Sequence, residues 1–303
     1  MRIESFVPLF VIFGVLAVML GGVFLTRKLM VRRDRRSPIK QDMLRGPGHA
    51  LRERIDDLTW DFAANLAFGP LVPLALYAMY LQHRLAGGAL SWLQVGIYGV
   101  SSAAVVVFST RNMVRILREM RRLRLGLEAE IVAAEELNLL MRSGCSVFHD
   151  VPGDGPFNID HVVAGPAGVF AIETKGRMQR KEPAKSDGHV VRSNGSQLDF
   201  PGWSEKKPIE QASRNARWLA QWLSSATGES VRVEPVVLLP GWYVKRSDWS
   251  GVPVLNPKEM TGFLASRRGT SLNPVQQQRI AHQLDGRCRT VESKVAGQRR
   301  NAS

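Results

Sequence analysis

Three long apolar stretches dominate the first third of this 303-residue chain. They run from Phe6 to Leu25, from about Phe62 to Leu81 and from about Leu90 to Ser109. Each is close to the ~20 residues that a helix needs to cross a bilayer. The second stretch contains two prolines, which membrane helices tolerate when their neighbours satisfy the freed carbonyls. We therefore predict an all-α membrane region over residues 1–110, with three spans at about 6–25, 62–81 and 90–109.

Two alternatives to these spans are open. The first apolar run resembles the hydrophobic core of a cleaved signal peptide. However, no small-residue cleavage site follows it, and a cluster of basic residues typical of a stop-transfer signal does. That cluster consists of Arg27, Lys28, Arg32, Arg33, Arg35 and Arg36. For the second and third runs, the alternative is a buried helical hairpin in a soluble domain.

The distribution of lysine and arginine predicts the orientation of the spans. Basic residues crowd the segment 26–61 and the segment that follows Thr110, whereas the short turn 82–89 carries only Arg84. By the positive-inside rule, the N-terminus lies outside and the remainder of the chain after Thr110 is cytoplasmic. This predicts a multi-pass protein of the inner (plasma) membrane. The basic helix at 111–125 would then face anionic headgroups of the lipid bilayer.

After residue 110 the pattern becomes that of one α/β domain at 126–289. Met113 to Arg142 has helical spacing, and Gly126 is expected to separate the juxtamembrane helix from the first helix of the domain. A second helix is predicted from Pro208 to Ser224, because proline favours the first turn. Short helices are predicted at about 258–266 and 274–289. The polar tail 290–303 is predicted to be disordered.

Apolar runs between these helices predict the strands. Cys145 to Val151 and Val231 to Leu239 read as strands, the latter buried because it is almost continuously apolar. A short strand is predicted at 252–255. Residues 189–192 and 197–200 flank an Asn-Gly pair, which is typical of a small exposed hairpin.

Charge and cysteine content restrict the class of partner. The formal net charge is +14 and the isoelectric point about 10.4, which favours a polyanion such as nucleic acid or anionic lipid. The two cysteines, Cys145 and Cys288, are far apart in sequence. They indicate neither a disulfide framework nor a zinc site.

The strongest chemical signal is a hairpin that carries three charges among apolar residues. Gly165-Pro166-Ala167-Gly168 predicts a tight turn that pairs Ala164 with Val169. Counting back along both strands places Asp160 opposite Glu173, and Lys175 lies further along the same face. Two carboxylates and an ammonium on one face outline a metal-dependent hydrolytic site.

This site predicts a cofactor and a substrate path. Asp160, Glu173 and the backbone carbonyl of Thr174 offer the hard oxygen ligands that Mg²⁺, or Mn²⁺, prefers. Lys175 would position or activate the attacking water. Nearby basic residues would follow a nucleic-acid backbone without reading its sequence; they include Arg177, Lys181 and Arg214.

The residues from about Leu125 to Leu239 resemble the nuclease-related domain, NERD, within the PD-(D/E)XK nuclease superfamily. The resemblance rests on four motifs in order: the helix Gly126-Leu-Glu-Ala-Glu130, the strand Asn158-Ile-Asp160-His-Val-Val, the strand Gly168-Val-Phe-Ala-Ile-Glu173-Thr-Lys175-Gly, and Pro208-Ile-Glu-Gln211. It implies a restriction-endonuclease-like mixed sheet flanked by helices.

The resemblance also implies roles for individual residues. Asp160 and Glu173 would be the metal ligands, Lys175 the catalytic lysine, Glu130 the helical member of the acidic cluster, and Gln211 a contact to the nucleic-acid backbone. The sequence departs from the family pattern at Ala129, where glycine is common before the glutamate, and at Ile159, where proline is common before the aspartate. Neither departure removes a ligand.

We therefore expect a membrane-anchored, Mg²⁺-dependent nuclease, with DNA favoured over RNA and little sequence specificity. A non-catalytic nucleic-acid-binding module on the same fold is the alternative. A membrane protein that uses the domain for assembly, as an oligomer, is a third reading.

Overall fold

The computed structural model describes residues 42–88, 91–179, 188–247, 251–267 and 272–291. Contacts divide the described chain into a helical unit, residues 56–121, and an α/β unit, which combines residues 42–55 with those from 122 onward. The predicted span at 6–25 lies outside the described residues.

Three helices account for the helical unit: α1 (His49–Phe68), α2 (Leu71–Leu85) and α3 (Trp92–Asn138). The predicted span at 62–81 is divided between α1 and α2, because Pro70 has no N–H to continue the ladder after Gly69. Two stretches, His49–Leu85 and Trp92–Ser143, are long and apolar enough to cross a membrane. Only 6% and 0% of their most apolar windows is buried, whereas a core helix of a soluble protein is mostly buried.

Helix α3 extends through Gly126, where the sequence predicted a boundary. Its 47 residues end at Asn138, and a 3₁₀ turn over Leu139–Ser143 leads to Gly144 in the left-handed region. A glycine inside a helix costs only about 1 kcal/mol relative to alanine, so a single glycine does not interrupt a long helix. The predicted end at Ser143–Gly144 is confirmed.

The α/β unit contains a mixed five-stranded sheet, which confirms the α/β class. Its strands lie in the order β10, β8, β4, β3, β2. Strands β2, β3 and β4 form an antiparallel meander on one side of the sheet, and β8 and β10 extend the sheet in parallel from β4. Their bounds are β2 (Ser146–Pro152), β3 (Asn158–Gly165), β4 (Gly168–Thr174), β8 (Val233–Leu238) and β10 (Val254–Leu255).

A smaller four-stranded sheet has the order β7, β6, β5, β9. The predicted Asn-Gly hairpin is present, since β5 and β6 are antiparallel and Ser193 pairs with Leu198. The strands are β5 (Val190–Ser193), β6 (Leu198–Phe200), β7 (Trp203–Glu205) and β9 (Tyr243–Arg246).

Helices cover both faces of the large sheet. Alternate residues of β3 and β4 point to opposite faces. One face packs on α4 (Lys207–Thr227) and α6 (Pro274–Cys288), and the other on the end of α3 and on α5 (Met260–Ser266). The predicted helices at 208–224, 258–266 and 274–289 thus correspond to α4, α5 and α6.

The α/β unit begins earlier in the chain than the sequence indicated. A strand β1 (Met43–Leu44) pairs antiparallel with β11 (Arg289–Val291), and the amide of Arg45 donates to the carbonyl of Cys288 at 3.0 Å. Residues 42–55 were assigned to the membrane region, and residues from 290 to a disordered tail. Backbone pairing between such distant segments leaves no mark on composition. Residues 292–303 lie outside the described part of the chain.

Candidate active site

The β3–β4 hairpin has the register that the sequence predicted. Ala164 pairs with Val169 and His161 with Ile172. Asp160 and Glu173 are the next residues along the two strands, and the Asp160 carboxylate bonds to the amide of Thr174 on β4. Gly165 pairs with Gly168, and the chain reverses at Pro166 and Ala167. Gly168 has a φ of 121°, which L side chains rarely adopt. The turn therefore fixes which residues of the two strands face one another.

Asp160 is half-buried at the start of β3. Its Oδ2 accepts a hydrogen bond of 2.7 Å from the backbone N–H of Thr174, on the neighbouring strand. Burial raises the pKa of Asp160 well above its ordinary value, and the negative charges of Glu173 and Glu130 raise it further. The hydrogen bond thus holds the carboxyl group in place, and the surroundings disfavour its ionised form unless a positive charge lies nearby.

Glu173 is almost completely buried, with 1% of its surface exposed. One carboxylate oxygen accepts from the ammonium of Lys175, and the other accepts from Nδ2 of Asn215 at 3.2 Å. Burial raises the pKa of Glu173, although Lys175 opposes this. Burial alone would lower the pKa of Lys175, but Glu173 and Asp160 raise it above its ordinary value. Lys175 therefore keeps its positive charge.

Asn215 belongs to the site and was not predicted. It lies on α4 with 2% of its surface exposed, in phase with the buried residues Ala212, Ala216 and Leu219. An asparagine in the apolar stripe of an amphipathic helix requires a partner, because burying an unsatisfied amide is costly. That position was the available signal. On the same helix, the family motif indicated Gln211 and the positive charge indicated Arg214.

Glu130 projects from α3 and is 7% exposed. Burial, followed by the charges of Asp150 and Glu173, raises its pKa to about 7; Lys175 and a hydrogen bond from the Gly48 amide act in the opposite direction. The structure therefore brings Glu130 within electrostatic reach of Glu173 and Asp160, as the sequence predicted for the acidic cluster.

A fourth carboxylate, Asp150, lies behind Glu130 and was also not predicted. It is 4% exposed and has a φ of 50°. Its side chain accepts from the amide of Ala50 at 3.2 Å and from Asn158 at 3.1 Å, and pairs with Arg45 at 3.3 Å. Burial raises the pKa of Asp150 despite these partners. Its main partners are more than 90 residues away, so no local motif could reveal it.

The predicted nucleic-acid contacts have mixed outcomes. Arg177 donates two hydrogen bonds of 2.9 Å to Glu205, so much of its charge is already paired. Arg214 is exposed on α4 and Gln211 is half-buried. Both arginines act electrostatically on Glu173 and lower its pKa. Lys181 lies outside the described residues.

The histidines of the hairpin face away from the carboxylates. His149 and His161 pair across β2 and β3, with Nδ1 atoms 2.9 Å apart. Burial lowers the pKa of His149 to about 4 and that of His161 well below its ordinary value. Both are neutral, and one donates to the other. His161, which is completely buried, is thus a packing residue.

The donor set suits a divalent cation. Burial and mutual repulsion raise the pKa values of Asp160 and Glu130, and a cation between these carboxylates and Glu173 would favour their charged forms. In the described residues, however, no three His, Cys, Asp or Glu side chains already surround one metal position. Glu173 is instead turned to Lys175 and Asn215. To bind a metal, Glu173 would have to replace at least one of these contacts with a bond to the ion.

Comparisons with known proteins are consistent with this geometry. No curated protein and no solved structure gives a significant match to the chain. One protein family does, and its model covers Glu130, Asp150, Asp160, Glu173, Lys175 and Asn215 but not the segment that contains Arg45 and Gly48. Residues 125–240 of this chain match the nuclease-related domain, NERD.

Proposed function

We propose that this protein is a metal-dependent nuclease that is anchored in the membrane and hydrolyses phosphodiester bonds of DNA with little sequence specificity. One observation carries the proposal: Asp160, Glu173, Glu130 and Lys175 act on one another electrostatically within a segment that matches a nuclease-related domain. A restriction-endonuclease-like arrangement, as in the PD-(D/E)XK superfamily, is part of this proposal.

The acidic residues would hold the metal. Asp160 and Glu173, with the backbone carbonyl of Thr174, provide oxygen ligands for Mg²⁺ or Mn²⁺, and Glu130 completes the acidic cluster. When bound, such an ion stabilises negative charge on the phosphate and lowers the pKa of a coordinated water.

Lys175 would act on the substrate, and Asn215 would orient a metal ligand. Lys175 stays protonated, so its ammonium can stabilise the charge that develops on the scissile phosphate. Asn215 fixes one oxygen of Glu173 and therefore its orientation. In the reaction, the water oxygen bonds to phosphorus, the bond from phosphorus to the leaving sugar oxygen breaks, and that oxygen takes up a proton.

The positive charge of the chain supports a polyanionic substrate. The net charge is +14, and exposed Arg214 lies near Glu173 on the surface of α4. Backbone contacts of this kind confer affinity without reading base sequence. We favour DNA over RNA as the substrate, and an oligomer is compatible with the proposal.

The apolar helices support anchoring in the inner membrane. The windows in His49–Leu85 and Trp92–Ser143 are apolar and exposed, which suits a lipid environment. With the N-terminus outside, the basic segment 111–125 and the α/β unit would be cytoplasmic. The run at 6–25 would add a third span.

A second function is favoured by one observation. Glu173 is satisfied by Lys175 and Asn215 without any metal, as in a stable ion pair of a binding module. Such a module would bind nucleic acid, or assemble at the membrane, without turnover. It would show salt-dependent DNA binding that is unaffected by EDTA.

The test uses the full-length protein in detergent micelles. Single- and double-stranded DNA are incubated with Mg²⁺, Mn²⁺ or EDTA, in parallel with Asp160→Asn and Lys175→Met. Asp199→Asn is the matched control, because Asp199 is an exposed carboxylate on β6. We expect metal-dependent cleavage by the wild type and by Asp199→Asn, and none by the two site variants. Wild-type cleavage by a folded Asp160→Asn protein would refute the site.

A further inference from the structure

The segment that precedes α1 contacts the candidate site although it lies outside the family match. Residues 43–50 run from β1 into the first turn of α1 and belong to the α/β unit. Three of its residues contact carboxylates of the site or behind it: Arg45, Gly48 and Ala50.

Gly48 lies directly against α3 beside Glu130. Its φ is +64°, and a Cβ there would lie 2.3 Å from Cδ1 of Leu127 and 3.5 Å from Oε2 of Glu130. The Gly48 backbone therefore lies against the Glu130 carboxylate, and its amide lowers the pKa of Glu130. Only glycine allows both this conformation and this approach. A side chain at position 48 would be strained at this φ and would require Leu127 to move.

Arg45 and Ala50 fix the same segment from its two sides. Nη1 of Arg45 lies 3.3 Å from Oδ2 of Asp150, and the amide of Ala50 donates to the same oxygen at 3.2 Å. Both side chains of the ion pair are mostly buried, with 14% and 6% exposed. Asp150 thus anchors the backbone on both sides of Gly48, so the amide of Gly48 has little freedom to move from Glu130.

We propose that Gly48, with Arg45 and Ala50, forms a positioning element of the nuclease site, which sets the place of Glu130 for metal binding and catalysis. The inference rests on the proposed function. It adds to the site residues that lie outside the nuclease-related domain. The same segment leads along the chain into α1.

The consequence is that the nuclease-related segment is incomplete alone. A protein that keeps residues 125–240 but loses the Gly48 contact would retain Asp160, Glu173 and Lys175, yet would lack the backbone that lies against the Glu130 carboxylate. Partners that orient a metal ligand typically change metal affinity or activity by about 10- to 100-fold when they are removed.

Gly48→Ala in the full-length protein tests the proposal. Gly46→Ala is the matched control, because nothing lies within 4 Å of a Cβ at Gly46 and its φ is not positive. We would measure the dissociation constant of Mn²⁺ by electron paramagnetic resonance and the rate of DNA cleavage, and verify folding by tryptophan fluorescence. We expect Gly48→Ala to weaken Mn²⁺ binding and to slow cleavage by about 10-fold, and Gly46→Ala to match the wild type.

A double-mutant cycle with Glu130→Gln identifies the route of the effect. If Gly48 acts through Glu130, Gly48→Ala causes no further loss in the Glu130→Gln background. An undiminished loss in that background, or wild-type Mn²⁺ affinity in folded Gly48→Ala, would overturn the proposal. If Gly48→Ala does not fold, Arg45→Gln replaces it: weaker Mn²⁺ binding is expected, and wild-type affinity would overturn the proposal.

The metal measurement also separates this inference from the nuclease proposal. Gly48-dependent Mn²⁺ binding without any DNA cleavage would refute the nuclease function and support the positioning element. A wild-type protein that binds no Mn²⁺ would overturn the positioning element.

Discussion

Asn215 and Glu173 form a buried hydrogen bond of 3.2 Å that joins α4 to β4 at the candidate site. The bond leaves Lys175 as the partner of the other Glu173 oxygen. One oxygen of this buried carboxylate thus bonds to a side chain of α4, and the other bonds to the residue just beyond the end of β4.

Loss of the Asn215 amide should reduce activity more than stability. Asn215→Ala leaves one oxygen of Glu173 without a donor, and we expect cleavage to slow by about 10- to 100-fold. Unfolding free energy should fall by about 1–3 kcal/mol, as for an unsatisfied buried acceptor. Ser213→Ala on the same helix is the control, since the hydroxyl of Ser213 donates to the Ile209 carbonyl within that helix. Equal rates for the two variants would argue against Asn215 in the site.

The charge of Glu130 should destabilise the metal-free fold. Its pKa is raised to about 7, above that of the unfolded chain, so stability is lost as pH rises from about 4.5 to 7. Glu130→Gln should therefore stabilise the protein at pH 8 in EDTA by on the order of 2 kcal/mol, and by much less below pH 4.5. Chemical denaturation at several pH values checks this. Glu135→Gln, an exposed position on the same helix, serves as the control and should show no such gain.

The histidine pair should have the opposite pH dependence. The pKa of His149 is lowered to about 4, so the unfolded state binds the extra proton first, and stability falls as pH drops from about 6.5 to 4. The unfolding free energy of His149→Gln should therefore fall by on the order of 2 kcal/mol less than that of the wild type over this pH range. The difference in unfolding free energy between variant and wild type, followed from pH 7.5 to pH 4, measures it. An unchanged difference across that range would contradict the assignment.

Gly176 should be intolerant of any side chain. A Cβ there would lie 2.6 Å from the carbonyl oxygen of Leu125 and 3.1 Å from Cβ of Ala129, so the end of β4 would have to move away from α3. We expect Gly176→Ala to cost about 1–3 kcal/mol, as overpacking does, and to slow cleavage because Lys175 precedes it. Gly262→Ala, with nothing within 4 Å of the added Cβ, should leave the melting temperature and the rate unchanged.

Arg214 should contribute to substrate affinity through phosphate contact. In an Asp160→Asn background, Arg214→Ala should weaken DNA binding for all sequences alike and lower the slope of log affinity against log salt by about one. Arg142→Ala is the control: Arg142 is exposed and precedes β2, at the end of the sheet opposite Asp160. Fluorescence anisotropy over a range of salt concentrations gives both slopes.

Local rules predicted the parts of the site that depend on nearby residues. The approach of Asp160 to the end of β4 follows from a turn only a few residues away, and strand alternation then places His161 on the other face. These features need no knowledge of the rest of the chain.

Long-range contacts were not accessible in the same way. Arg45 meets Asp150 across 105 positions, and Asn215 meets Glu173 across 42. Asn215 could have been found as a polar residue in the apolar stripe of a helix, whereas nothing in the sequence around Gly48 indicates its contact with Glu130. Its role depends on a positive φ and on the approach of Leu127, both of which are properties of the folded chain.

The pairing of β1 with β11 has a consequence for biosynthesis. Met43 and Leu44 leave the ribosome long before Arg289 to Val291, their partners, are made. At about 5–20 residues per second, the first strand waits on the order of ten seconds or more for the last. Sequence separations of this size also slow folding, because the loop must be closed before the contact gives any stability. The β1–β11 pair, which lies next to the Gly48 segment, is therefore among the last backbone contacts that a nascent chain can form.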